Sequence, residues 1–224
     1  MEKLKIIAHI HTDLPEKFGV PRQSGLAKSL TGRIVFEKEY RNKDALKGID
    51  EFDYLWLLWA FEGVESDKFT ATVRPPRLGG NETRGVFATR SPFRPNPIGL
   101  SSVKLEKIEL DSTDGPTLIV SGIDLRDNTP IYDIKPYLPY VDSHENASNG
   151  FAEATKDVAL KVDISKDLLG TIPDNKQAGL LEVLSEDPRP QYQNDPERIY
   201  GLSYAGKNVR FRVENDCITV LDIE

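Results

Sequence analysis

Cysteine is almost missing from this sequence, Cys217 being the only one in 224 residues. An intramolecular disulfide framework is excluded, and the lone thiol reads as a small core residue in preference to a nucleophile. Long apolar runs are missing too. None approaches the roughly 20 residues of a membrane span, and the opening MEKLKIIAHIH has neither the apolar core nor the small-residue cleavage site of a signal peptide. The expectation is a cytosolic chain that does not enter a membrane. No Gly-x-Gly occurs anywhere, which removes the dinucleotide fingerprint and the glycine-rich loop of Rossmann folds. No GxSxG elbow is present, and His144 in a polar linker is a poor general base, so a serine hydrolase is not expected. GLSYAGKN, Gly201 to Asn208, nearly spells a phosphate-binding P-loop, but Asn208 stands where a magnesium-binding hydroxyl is needed and the segment lies between two strands. It reads as a hairpin turn. His9 and His11 alternate about Ile10, yet no Cys, His or carboxylate cluster at ligand spacing lies nearby, and no metal site is expected.

What the sequence does have is an unusual stretch, RGVFATRSPFRPNPIG, from Arg84 to Gly99. Arg84, Arg90 and Arg94 alternate with Pro92, Pro95 and Pro97, and with Phe87, Phe93 and Ile98. Each proline fixes its own φ and extends the residue before it, so Ser91, Arg94 and Asn96 sit on a pre-shaped backbone. A stiff arginine-bearing loop loses little entropy on clamping an anion or nucleotide; a proline-punctuated surface loop with solvated arginines is the alternative. The charge distribution bears on the choice. The chain carries a net charge of −7, but residues 71 to 100 hold five arginines against Glu82 alone, a local +4 that leaves −11 elsewhere. Such an island suits a local contact with phosphate, carboxylate or nucleotide.

Taken in order, short strands are predicted at Leu4 to Ile10, Gly32 to Tyr40, Tyr54 to Phe61, Thr70 to Val73, Gly85 to Thr89, Leu100 to Leu110, Leu118 to Leu125 and Ile131 to Ile134. Asn42 is a plausible N-cap for a short helix carrying Leu46 and Ile49. YLWLLWAF, Tyr54 to Phe61, has no charge and reads as a strand buried on both faces, with Trp56 and Trp59 in the core. Asp114-Gly115 turns one hairpin. The count of strands predicts an all-β barrel or sandwich up to about Ser143, followed by a polar boundary, His144 to Thr155. After it come a strand at Val158 to Ile164, a helix at Asp174 to Ser185 stopped by DPRP, and a meander of Ile199 to Tyr204, Val209 to Val213 and Cys217 to Ile223.

Four blocks in this order, PRQSGL (Pro21 to Leu26), VRPPRLGGN (Val73 to Asn81), GVFATRSPFRPNPIGLS (Gly85 to Ser101) and DNTPIYDIKPYLPYVDS (Asp127 to Ser143), resemble the S-adenosylmethionine-dependent tRNA N6-threonylcarbamoyladenosine methyltransferases. The resemblance spans about 140 residues, and the tail after DPRP resembles the C-terminal domain of longer bacterial members. It implies a mainly β chain. A closed single-sheeted β-barrel at residues 1–157 would bind the methyl donor, and a small α+β domain at 158–224 would extend toward tRNA. It also implies S-adenosylmethionine as cofactor, threonine tRNA carrying threonylcarbamoyladenosine as substrate, and a homodimer.

By similarity, Pro21, Arg22, Gln23, Arg90, Leu100, Asp124, Asp127, Asn128, Thr129 and Pro130 contribute to the donor pocket, with Glu62 and Gly63 as further candidates. Arginine can hold a carboxylate bidentately, and Asp124 or Asp127 can receive the donor's ammonium. Methyl transfer to a urea-like nitrogen needs alignment and a nearby proton acceptor; Asp133 and Tyr137 are the catalytic candidates, although Asp133 can equally fix its own loop. Arg77, Arg84, Arg94, Lys135, Arg189 and Arg198 are candidates for tRNA phosphate or substrate carboxylate, with structural salt bridges as the alternative for each. Ala8, His11-Thr12 and Glu62 depart from the family pattern, and Glu62 brings negative charge toward the pocket. A non-catalytic RNA-binding barrel and a small-ligand scaffold are the competing readings.

Overall fold

The computed structural model describes residues 4–64, 69–75, 82–155, 159–189 and 195–224. Six strands, β1 (Ala8–Thr12), β2 (Thr31–Phe36), β3 (Tyr54–Ala60), β6 (Ile98–Glu109), β7 (Thr117–Ser121) and β8 (Thr129–Pro136), close into a single-sheeted barrel in the order β1-β2-β7-β6-β3-β8. Every neighbouring pair is antiparallel. A ribbon of β4 (Thr72–Val73) and β5 (Arg84–Gly85) stands apart from it.

One face of each barrel strand fills the lumen. Ile10, Ile34, Leu55, Leu57, Val103, Leu118, Val120 and Ile131 are fully buried there, each contributing about 1.5–3 kcal/mol of transfer free energy. β3 alternates strictly: Leu55, Leu57 and Trp59 point inward, whereas Trp56 and Leu58 face out. A single sheet offers only one protected face, so the uncharged run is not buried on both sides as its composition suggests. Trp56 is instead half-covered from outside by Tyr137, 5.3 Å away between ring centroids, and donates its Nε1–H to Asp142 at 2.9 Å. Asp142 closes α1 (Pro139–Asp142), which follows β8.

Several strand limits differ from the sequence reading for local reasons. β1 starts at Ala8 because Leu4 lies 59% exposed outside the sheet. β2 stops at Phe36 and passes into a 3-10 turn, Lys38–Tyr40. Asn42 does cap, accepting from the Asp44 N–H at 3.0 Å, but the helix it starts is a 3-10 turn ending at Leu46. β7 ends at Ser121 rather than Leu125, because Gly122 takes a φ of +71°. The expected strand Gly85 to Thr89 is a 3-10 turn over Val86–Ala88; it buries Val86 and leaves Phe87 72% exposed.

The tail forms a four-stranded sheet in the order β10-β11-β12-β9, from β9 (Lys161–Asp163), β10 (Tyr200–Tyr204), β11 (Lys207–Glu214) and β12 (Cys217–Ile223). α2 (Lys166–Leu169) and α3 (Asp174–Ser185) lie between β9 and β10. GLSYAGKN makes the β10–β11 turn, with Ala205 and Gly206 both at positive φ. Cys217 is half-buried at the start of β12 rather than in the core. One hydrophobic cluster runs through barrel and tail alike, joining Leu14 and Leu30 to Leu180, Leu184, Leu202 and Phe211. Truncating a lumen residue such as Leu57→Ala should lower unfolding free energy by about 2–5 kcal/mol, read from urea denaturation.

Candidate functional site

At one end of the barrel the sequence brings together the C-terminal ends of β1, β3 and β7 with the N-terminal ends of β6 and β8. The pairing sets Trp59 opposite Gly99 on one side and Ile131 on the other. Inward alternation along β6 then buries Ser101, whose Oγ accepts the Trp59 Nε1–H at 2.9 Å. The Ser101 hydroxyl donates in turn to Asp124 Oδ1 at 2.6 Å. Burial pushes the Asp124 carboxyl up to about pH 6, partly offset by the Ser101 hydroxyl, by its own and the Ser24 backbone N–H, and by the Arg90 charge.

Arg90 belongs to the proline-arginine loop and donates from Nη1 to Gln23 Oε1. Gln23 Nε2 donates to the Arg22 carbonyl at 2.5 Å, and Arg22 Nη2 to the Asp187 carbonyl at 3.2 Å. Pro21 is buried beside them. Segments far apart in the chain therefore meet: Pro21 to Gln23, Arg90 and Asp124. The loop between β7 and β8 completes the rim. Asp127 Oδ1 accepts from the Thr12 N–H at 2.9 Å and lies 3.4 Å from His11 Nδ1. Asn128 holds a φ of +62° while its N–H bonds the Ile10 carbonyl at 2.8 Å. Thr129 Oγ1 donates to the Arg126 carbonyl, and Pro130 is buried opposite His9. Glu62, in the turn with Gly63, pairs with Arg126 at 2.5 Å. Its charge is thus met by a rim cation, and the departure at this position need not repel a ligand.

Other candidates lie elsewhere. Leu100, adjacent to Ser101, faces outward and is 53% exposed. Asp133 sits opposite outward-facing Leu58, accepts from the Ile134 N–H at 2.9 Å and pairs with Lys135 at 2.8 Å. Tyr137 follows the last residue of β8, its N–H bonded to the Tyr54 carbonyl; it lies three residues past Ile134, which stands level with Ser101 across Leu57, about 10 Å along the strand at ~3.3 Å per residue. Arg84 pairs with Glu82 at 2.6 Å and lies over the Phe151 ring. Arg94 turns back to the Thr89 carbonyl at 3.0 Å and fixes its own loop. Arg189 pairs with Asp187 at 2.9 Å, and Arg198 lies over Tyr200. Arg77 lies outside the described residues. Ser101 and Trp59, which stand behind Asp124, were not among the sequence candidates; their signal was the inward alternation of β6 and β3, readable only once the register is known. Among the described residues no group of three or more His, Cys, Asp or Glu is placed to hold a metal ion. A cleft of about 260 Å³ outside β1 and β2, lined by His9, His11, Glu37, Arg41, Asp114 and Asn128, holds mostly internally paired charges and does not include Asp124.

The family model of the tRNA-methyltransferase O N-terminal domain matches residues 9–143, and that of the TrmO C-terminal domain residues 158–224. The chain belongs to the tRNA-methyltransferase O family. It is 41% identical over 226 residues to the tRNA (adenine(37)-N6)-methyltransferase of Escherichia coli K12, covering 97% of this chain and 96% of that protein. It is 40% identical over 226 residues to a Pseudomonas aeruginosa protein, RcsF, named provisionally as an S-adenosylmethionine-dependent methyltransferase, at 97% and 95% coverage. The crystal structure of TrmO from Pseudomonas aeruginosa superposes with a TM-score of 0.79 at 31% identity, over 100% of this chain and 99% of that one. The sheet that closes on itself is thus the family's fold.

The raised Asp124 pKa makes a stability prediction. Its folded value lies above the unfolded 3.8, so the native state binds the extra proton and stability falls as pH rises from 3.8 to about 6. Asp124→Asn keeps an acceptor for the Ser101 hydroxyl and removes the buried charge. Its gain in unfolding free energy over the parent should be largest above a pH of about 6 and should shrink toward 3.8, as followed by urea denaturation across that range.

Proposed function

We propose that this protein is an S-adenosylmethionine-dependent tRNA methyltransferase that adds a methyl group to N6 of the adenine at position 37, acting on threonine tRNA that already carries the threonylcarbamoyl group, and that it works as a homodimer. The observation that carries the reading is end-to-end similarity to a tRNA (adenine(37)-N6)-methyltransferase, together with a desolvated carboxylate and a guanidinium converging on one rim.

The donor set fits the proposed cofactor. S-adenosylmethionine presents a sulfonium and an ammonium beside a carboxylate and an adenosine, and when bound it supplies an electrophilic methyl. Asp124 is a largely desolvated carboxylate, where an approaching positive charge restores the ionised form that burial disfavours. Arg90 stands at the rim with a fork suited to a carboxylate. Gln23 and the backbone around Asn128 supply neutral donors and acceptors for a nucleoside edge. The chain's work in the transfer is therefore chiefly alignment, with loops already stiffened by proline and by hydrogen bonds before the ligand arrives. Asp133 stands opposite outward-facing Leu58 with Lys135 as its partner, and Tyr137 packs against Trp56.

Purified protein incubated with S-adenosylmethionine and threonylcarbamoylated threonine tRNA should convert the modified nucleoside to a singly methylated product, followed by mass spectrometry of digested tRNA. Absence of both transfer and donor binding would overturn the reading. Arg90→Ala should weaken donor binding at least about tenfold, equivalent to ~1.4 kcal/mol, in calorimetric titration.

A further inference from the structure

Helix α3 of the tail grips the segment that carries Pro21, Arg22 and Gln23 at two places. Glu182 Oε2 accepts the Ser29 backbone N–H at 2.6 Å, and Glu182 Oε1 accepts the Ser29 hydroxyl at 2.8 Å. Beyond the last turn of the helix, Asp187 adopts a φ of +51°, and its carbonyl accepts from Arg22 Nη2 at 3.2 Å. The helix lies close to the loop at Gly179, where a Cβ would come within 3.4 Å of the Leu30 Cα and the Ser29 carbonyl oxygen.

The gripped loop is the one that shapes the Asp124 wall. The Gly25 N–H bonds the Gly122 carbonyl at 2.8 Å, and the Gly122 N–H bonds the Leu30 carbonyl at 3.0 Å, so residues 25 to 30 are pinned at both ends to the residue two before Asp124. The Ser24 backbone N–H also reaches the Asp124 carboxylate. A carboxylate that accepts a backbone N–H and a hydroxyl together makes two charge-assisted bonds, which add to the Gly122 bonds and to the Leu30 N–H bond to the Ala27 carbonyl at 3.2 Å in fixing the turn.

We infer that α3 sets the methyl-donor segment, with Glu182 as a positioning residue, so that the C-terminal unit acts on donor affinity. This rests on the donor site proposed above. The Glu182 bonds are made to the segment's turn, and no direct contact with the ligand is required of that residue. Its loss removes the two Ser29 bonds and loosens this turn, while the Arg22–Asp187 bond, Arg90 and Asp124 stay in place.

The test uses the full-length protein. Glu182→Ala should raise the Kd for S-adenosylmethionine about tenfold by calorimetric titration, with tRNA affinity by filter binding and kcat at saturating donor changing by less than about twofold. Glu182→Gln, which keeps an acceptor for the Ser29 N–H, should restore donor affinity to within about threefold of the parent. Tyr204→Phe removes another contact of α3, the bond from the Tyr204 hydroxyl to the Lys176 carbonyl at 2.8 Å; it should lower the Tm without changing donor affinity. Should Glu182→Ala fail to fold, Ser29→Ala must still weaken donor binding about two- to threefold. A folded Glu182→Ala that binds donor as the parent does, or that loses tRNA affinity instead, overturns the inference. So does an equal loss of donor affinity in Tyr204→Phe. If the parent binds no S-adenosylmethionine, both readings fall together; if the parent binds it and Arg90→Ala weakens it while Glu182→Ala does not, only the role of α3 falls.

Discussion

The Asp124 carboxylate is held in a wall where water cannot fully solvate it, and this unfavourable burial organises everything around it. The Ser101 hydroxyl, itself fixed by the Trp59 indole, supplies one bond, and the loop from Ser24 to Leu30 supplies the Ser24 N–H and closure. Together these contacts lower the cost of burial without abolishing it, which is why the carboxyl still titrates near 6. A site tuned in this way favours a positively charged ligand over a neutral one, since only the former compensates the remaining desolvation.

The barrel makes that arrangement possible by geometry alone. Antiparallel closure places alternate ends of six strands on one rim, so residues remote in sequence become neighbours, Thr12 with Asp127 and Ser101 with Asp124. The rim loops are then tied back to strands: Asp127 to Thr12, Asn128 to the Ile10 carbonyl, Arg94 to its own loop. Charged side chains here are mostly employed in holding the frame. Arg90 differs from Arg94 because its partner is the side chain of another loop, where a ligand group can replace or join the contact.

Much of the fold was legible in the sequence because its cues are local. α3 runs from Asp174 to Ser185 as the leucine spacing and the following DPRP segment predict, and the β10–β11 turn falls at Ala205-Gly206. Many short strands without crossover helices point to a barrel or a sandwich, and the family resemblance implied the closed ring that the six strands form. What was not legible depends on register and on long-range packing. Which strands pair to close the ring, β1 with β8 and β2 with β7, leaves no trace in composition. The same gap hid the inward turn of Ser101, shared with Gly99 and Val103, and the placing of Asp133 on the outward side of β8 opposite Leu58. The expected strand after Gly85 failed because burying Val86 turns the backbone into a single 3-10 turn.

Ring closure has a consequence for self-association. Every barrel strand has hydrogen-bonded neighbours on both sides in the ring, so the barrel itself, unlike the open tail sheet, offers no strand edge to a second molecule. Two copies meeting at their barrels must recognise each other through outward side chains such as Leu100, Tyr54 and Ile98. Complementarity of shape and charge between those surfaces, and not backbone templating, then decides which molecules associate and in what orientation.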